Sequence, residues 1–73
     1  MVDFNIRFEL FKEIRVNDDK EKYITYGIRA KNMEAEVRDV SVNLEEVIKI
    51  LRILNDNNVS VIHLKDIIED ILE

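Results

Sequence analysis

The chain has no cysteine, no proline and no tryptophan, and only one glycine and one histidine among its 73 residues. Without cysteine there is no disulfide, no thiolate zinc site and no thiol nucleophile, and the chain suits a reducing cytoplasm. Without proline and with glycine only at Gly27, no Pro/Gly-rich linker or glycine-rich phosphate loop can be built. GxSxG and HExxH are missing as well, so the recognisable catalytic signatures are absent and the expectation is a protein that is not an enzyme. No apolar run approaches the roughly 20 residues of a membrane helix. The opening MVDFNIRFEL lacks the basic and long apolar regions of a secretory signal, so a cytoplasmic protein away from membranes is expected.

Apolar residues make up 47% of the chain and charged residues 37%, a globular composition for one small domain, 1–73, with one modest core. The formal net charge is −5. It is uneven: residues 1–40 carry eight basic and nine acidic side chains, residues 41–73 three and seven. Nucleic-acid binding draws much of its affinity from cations neutralising phosphates, so this balance argues against it.

From Val2 to Val16 every even position except Lys12 is apolar, and the odd positions are polar apart from Phe11. That period of two predicts a strand over about 2–16 with one buried face. After the turn NDDKEK the alternation resumes on even positions, Ile24, Tyr26, Ile28 and Ala30, predicting a second strand over about 22–31. The two apolar faces coincide only if the first turn has odd length, three or five residues. If paired numbers sum to 38, Phe11 covers Gly27, Glu9 meets Arg29 and Arg15 lies beside Tyr23. The apolar set then moves to Ala35 and Val37, which requires an even second turn and gives a third strand over about 35–40. In such a meander strand one is an edge, and Lys12 is the inward charge that edges use against misassembly.

Asn43 followed by Glu46 fits a capping box, and Val42 with Val47 has the spacing of a hydrophobic staple. A helix over about 44–55 follows, its apolar residues Leu44, Val47, Ile48, Ile50, Leu51, Ile53 and Leu54 spread so widely that cover on two sides is expected. Asp56 to Asn58 break it, Ser60 is the next N-cap, and a last helix over about 61–72 carries a narrower strip, Leu64, Ile67, Ile68, Ile71 and Leu72. The predicted fold is α+β: a three-stranded antiparallel meander with two helices on one face, βββαα.

Three surfaces are candidates. His63, Asp66 and Asp70 share one side of the last helix, but metal sites usually recruit a second element and no other histidine or cysteine exists, so neither metal nor cofactor is expected. The plainer expectation is a first-turn histidine with its ring half covered, ahead of an acidic face that is solvated or docks a basic partner. On the open face of the sheet Arg7, Phe11, Tyr23 and Arg29 have the makings of a single-strand nucleic-acid platform, although the interleaved glutamates fit cross-strand ion pairs more simply. At the free end of strand one Val2, Phe4 and Ile6 outrun strand two, and either curl over the helices or pair with another copy across a two-fold axis. The reading that follows is a small non-enzymatic protein-interaction or regulatory module, binding a protein partner or itself as a homodimer. Its candidate surface is Val2, Phe4, Ile6, His63, Asp66 and Asp70, and the alternative is a nucleic-acid-associated regulator using the open face.

At Tyr26-Gly27-Ile28, and over NVSVIHLKDIIED from Asn58 to Asp70, the chain resembles a group of short uncharacterised proteins from clostridia and related Gram-positive bacteria. In that group a strand hairpin precedes two helices, and a segment like VSPIHLxDVVED opens the last one. This chain departs from the pattern at Val61, where proline would suit the first helical position. The resemblance implies a bacterial cytoplasmic setting and no catalytic residue.

Overall fold

The computed structural model describes residues 7–32, 35–57 and 59–72. Strands β1 (Phe8–Val16), β2 (Lys22–Ala30) and β3 (Glu36–Ser41) are followed by helix α1 (Leu44–Asp56), a 3-10 turn (Val61–His63) and helix α2 (Leu64–Leu72). The strands form one antiparallel sheet in the order β1-β2-β3, so the α+β arrangement expected from the periodicity is the one found. The predicted start of strand one, residues 2–6, lies outside the described residues.

Parity admits only even sums of paired numbers in the β1–β2 register, and the structure takes 38. Phe11 stands opposite Gly27, Glu9 opposite Arg29 and Arg15 opposite Tyr23. The connecting turn runs from Asn17 to Glu21 and is held by the Asn17 side chain, whose Oδ1 accepts from the amides of Asp19 and Glu21, both at 2.9 Å. Lys20 takes a left-handed backbone conformation, φ 64°, to close it. The second connection, 31–34, has the expected even length, since the Ala30 amide donates to the Ala35 carbonyl at 2.9 Å.

β3 departs from the plain strand that was expected. Ser41 pairs with Tyr26 and Val37 with Ile28, so Arg38, Asp39 and Val40 stand against Gly27 alone. A residue surplus of this kind bends a strand and leaves part of it outside the ladder. Asp39 sits at φ 53°, a region that aspartate tolerates better than most residues. The carboxylate stays because it has work there: the fully buried Thr25 hydroxyl donates to Asp39 Oδ1 at 2.7 Å, with the Ser41 carbonyl oxygen 3.2 Å away.

Phe8, Ile28, Ala30, Val47, Ile50, Leu54, Leu64 and Ile68 make the core between the sheet and the helices. α1 lies over β1 and β2 and α2 over β3. Asn43 caps α1 as expected, Oδ1 accepting from the amides of Glu45 and Glu46. The box itself is relayed: Ser41 Oγ donates to Glu46 Oε1 at 2.7 Å and accepts from the Asn43 amide at 3.0 Å. The staple does not close, because Val47 is fully buried while Val42 is 63% exposed.

Two further expectations are corrected. α1 is not covered on two sides: Val47, Ile50 and Leu54 are buried, but Leu44, Ile48 and Ile53 remain exposed, and α2 sits over β3, at the other edge of the same face of the sheet. The last helix does not begin as an α-helix at 61. Ser60 accepts the His63 amide on its carbonyl at 3.1 Å and the Ile62 amide on Oγ at 3.3 Å, which tightens the first turn to 3-10 and delays the α-helix to Leu64.

Candidate interaction surface

In an antiparallel ladder, residues whose amides and carbonyls face the neighbour alternate with residues whose polar groups face away. Here the odd residues of β1 face β2: Asn17 donates to the Glu21 carbonyl at one end of the hairpin and Lys31 donates to the Arg7 carbonyl at the other. The even residues, Phe8 to Val16, therefore aim their backbone N–H and C=O outward from the sheet. At Phe8 that outward pair is satisfied. The Asn55 amide side chain, at the C-terminal end of α1, accepts from Phe8 N at 2.8 Å through Oδ1 and donates to the Phe8 carbonyl at 3.2 Å through Nδ2. Asn55 thus acts as a short substitute strand at one position. Beyond it, Leu10, Lys12, Ile14 and Val16 offer a regular edge that no described residue occupies. The opposite edge is different, because the surplus residues of β3 break its regularity.

The side chains beside this edge are apolar and uncovered. α1 has 13 residues, about 20 Å of helix, whereas the nine residues of β1 span about 30 Å. Asn55 fixes the end of α1 at Phe8, and its start lies near Ser41, which pairs with Tyr26 opposite Lys12. The helix therefore runs out before the hairpin does. On the same face as the core, Ile14 is 66% exposed, Val16 58% and Ile24 45%, and Leu44 and Ile48 at the start of α1 are exposed as well. Ile14 stands opposite Ile24 with Val16 two residues on, and a contiguous apolar surface of this kind marks an interaction site more often than chance exposure of single residues does. Lys12, the predicted inward charge, is exposed in the middle of the row.

On the open face of the sheet Arg15, Arg29 and Arg38 are paired with glutamates. Arg29 Nε lies 2.8 Å from Glu9, Arg38 Nε 2.6 Å from Glu36 and Arg15 Nε 3.3 Å from Glu13. A hydrogen bond and charge from Glu36, with Glu13 adding to them, raise the Arg38 guanidinium further above its ordinary pKa. Phe11 lies across the bare backbone of Gly27 with the Arg29 guanidinium 5.2 Å from its ring centre. Of the proposed platform residues, then, Phe11 and Arg29 hold each other, Tyr23 is half-buried and Arg7 is exposed beside the sheet end.

Of the expected partner surface, the described residues include only the half on the last helix. His63, Asp66 and Asp70 are exposed on the 3-10 turn and α2, over β3 and away from the β1 edge. Val2, Phe4 and Ile6 lie outside the described residues. Among the described residues no three histidine or acidic side chains stand together as a metal site, and no helix is long and apolar enough to cross a membrane. Sequence reasoning missed the surface made by Ile14, Val16 and Ile24. The lengths of the two periodic segments, compared, carried the signal.

The model of a family of unknown function, DUF6514, matches residues 2–73, and the chain belongs to that family. No curated protein and no solved structure matches it.

Proposed function

We propose that this member of the family is a non-enzymatic interaction module that binds another polypeptide along β1, with self-association through that strand as one form of the activity. One observation carries the reading: a regular strand edge, which no described residue occupies from Leu10 to Val16, is bordered on the core side by the exposed Ile14, Val16 and Ile24. Strand addition uses both features together, main-chain hydrogen bonds for affinity and alternate side chains for specificity. The polar residues that resemble catalytic groups have structural partners instead: Thr25 with Asp39, Ser41 with Glu46 and Asn43, and Ser60 with the 3-10 turn. The setting proposed with it is a bacterial cytoplasm, which the cysteine-free composition suits.

A photoreactive side chain replacing Val16, compared with one replacing the exposed Lys65 on α2, tests this in the cells that make the protein. Adducts of discrete protein mass are expected from Val16 and not from Lys65. Equal labelling from both positions, or none from Val16, overturns the reading.

A further inference from the structure

We infer that the polypeptide seated on β1 is a second copy of this chain, joined across a two-fold axis at Ile14 into one continuous six-stranded sheet; this rests on the interaction reading above. A two-fold axis normal to the sheet makes the two β1 strands antiparallel. Only registers that set even residues opposite even residues let the outward N–H and C=O groups meet, which places the axis on a residue rather than between two.

Side-chain charge then selects among the axes. An axis at Phe11 sets Glu9 against Glu13 and Arg7 against Arg15. Axes at Lys12, Glu13 and Arg15 each set that residue against its own copy. Like charges directly opposite oppose pairing. At Leu10, the Asn55 amide already occupies the Phe8 groups that Lys12 would need. At Val16, the pairing runs into the turn and sets Ile14 against Asp18.

The axis at Ile14 keeps its pairs from Lys12 to Val16 within the strand and free of these faults, reaching the turn only beyond them, where Leu10 falls opposite Asp18. Glu13 of each copy stands opposite Arg15 of the other on the open face, extending the Glu13–Arg15 ion pair already present within each chain. Ile14, the most exposed apolar residue of β1, meets itself, and Lys12 meets Val16 rather than a second cation. Every outward N–H and C=O of Lys12, Ile14 and Val16 finds a partner. On the core side, Ile14, Val16 and Ile24 of both copies merge into one strip. The two α1 helices flank it without overlap, because each stops short of its own hairpin end. Lys12 then acts as a register selector: it excludes the pairing centred on itself and is harmless in the one centred two residues on.

The absence of cysteine makes the register directly readable. Opposed residues in a hydrogen-bonded antiparallel pair have Cα atoms about 5.5 Å apart, within disulfide range. Ile14→Cys should therefore cross-link to a covalent dimer under added oxidised glutathione, whereas Lys12→Cys and Val16→Cys, each far from its own copy, should not. Sedimentation velocity of the unmodified chain should give twice its 8.7 kDa mass at high micromolar concentration. Ile14→Asp should give the single mass with unchanged circular dichroism. Glu13→Arg should weaken the dimer about tenfold, and adding Arg15→Glu should restore it.

A strictly monomeric chain overturns the inference, as does preferential cross-linking through Lys12→Cys or an unlinked Ile14→Cys. If the chain is monomeric yet Val16 still labels a different protein in cells, the second copy is refuted while the interaction reading stands. If neither occurs, both fall.

Discussion

Replacing Gly27 with alanine probes the tightest point of the sheet. A Cβ built there would lie 2.5 Å and 2.8 Å from the Phe11 ring carbons Cζ and Cε1, and 2.6 Å from the Val37 carbonyl oxygen. The two obstacles differ in kind. The ring is half-buried at the surface of β1 and can swing aside, at the expense of its contacts with Gly27 and the Arg29 guanidinium. The carbonyl oxygen is main chain, held at the start of the irregular stretch of β3, and moves only if β3 moves. Overpacking of this sort costs about 1–3 kcal/mol. In a domain of this size each kcal/mol lowers Tm by roughly 4–8 °C. Thermal unfolding by circular dichroism should therefore place Gly27→Ala roughly 5–20 °C below the parent chain. Phe11→Ala combined with Gly27→Ala separates the contributions: relief of the ring clash makes the double variant less damaged than the two single effects added, but the carbonyl clash keeps it below Phe11→Ala alone. A Gly27→Ala protein as stable as the parent would refute the close approach of β3 to this glycine.

Asn55→Ala leaves the buried Phe8 amide and carbonyl without their partner and should destabilise the fold by about 1–3 kcal/mol in urea unfolding; a loss under 0.5 kcal/mol would mean the contact is incidental. Thr25→Val keeps the volume but deletes the hydroxyl that donates to Asp39, for a loss of about 1 kcal/mol. In an Asp39→Gly background that loss should shrink, because the nearer acceptor is gone and only the Ser41 carbonyl remains. Asn43→Ala should cost about 1 kcal/mol by removing the α1 cap, with Asn43→Ser or Asn43→Asp retaining most of it. Each is checked by the midpoint of chemical denaturation at constant slope.

The features legible in the sequence were those set by parity. An apolar row with period two assigns every side chain of a strand to a face, and two rows joined by a turn can agree only if the turn has the right number of residues. That argument restricts the hairpin to even sums of paired numbers, and one of these, 38, sets Phe11 on Gly27 and Glu9 on Arg29 as the structure has them. The features not legible were those set by long-range polar contacts. The surplus of β3 depends on Thr25 finding Asp39, and the satisfied end of β1 depends on Asn55 reaching Phe8, 47 residues away along the chain. Neither pairing leaves a periodic trace. The 3-10 turn before α2 is local but reflects a competition: Ser60 can cap an α-helix or hold a tighter turn, and residue type alone does not decide between them.

The interaction surface was half legible for a related reason. Hydrophobic pattern states which side of a strand is apolar, not how far along that side the covering helix extends. Ile14, Val16 and Ile24 belong to the same even row as Ile28 and Ala30, yet the first three are exposed and the last two fully buried. What separates them is the end of α1, which Asn55 pins at the Phe8 end of the strand so that the shortfall of helix falls entirely at the hairpin end. The same side chain that closes the strand edge at Phe8 therefore decides that the open edge and the bare apolar strip coincide at the other end. If Asn55 did not anchor α1 there, the helix could slide toward the hairpin, cover Ile14 and expose Phe8. Asn55→Ala should accordingly shift protection in amide hydrogen exchange, lowering it at Phe8. Any dimer formed through Ile14 should weaken at the same time, without a single residue of its interface having been changed.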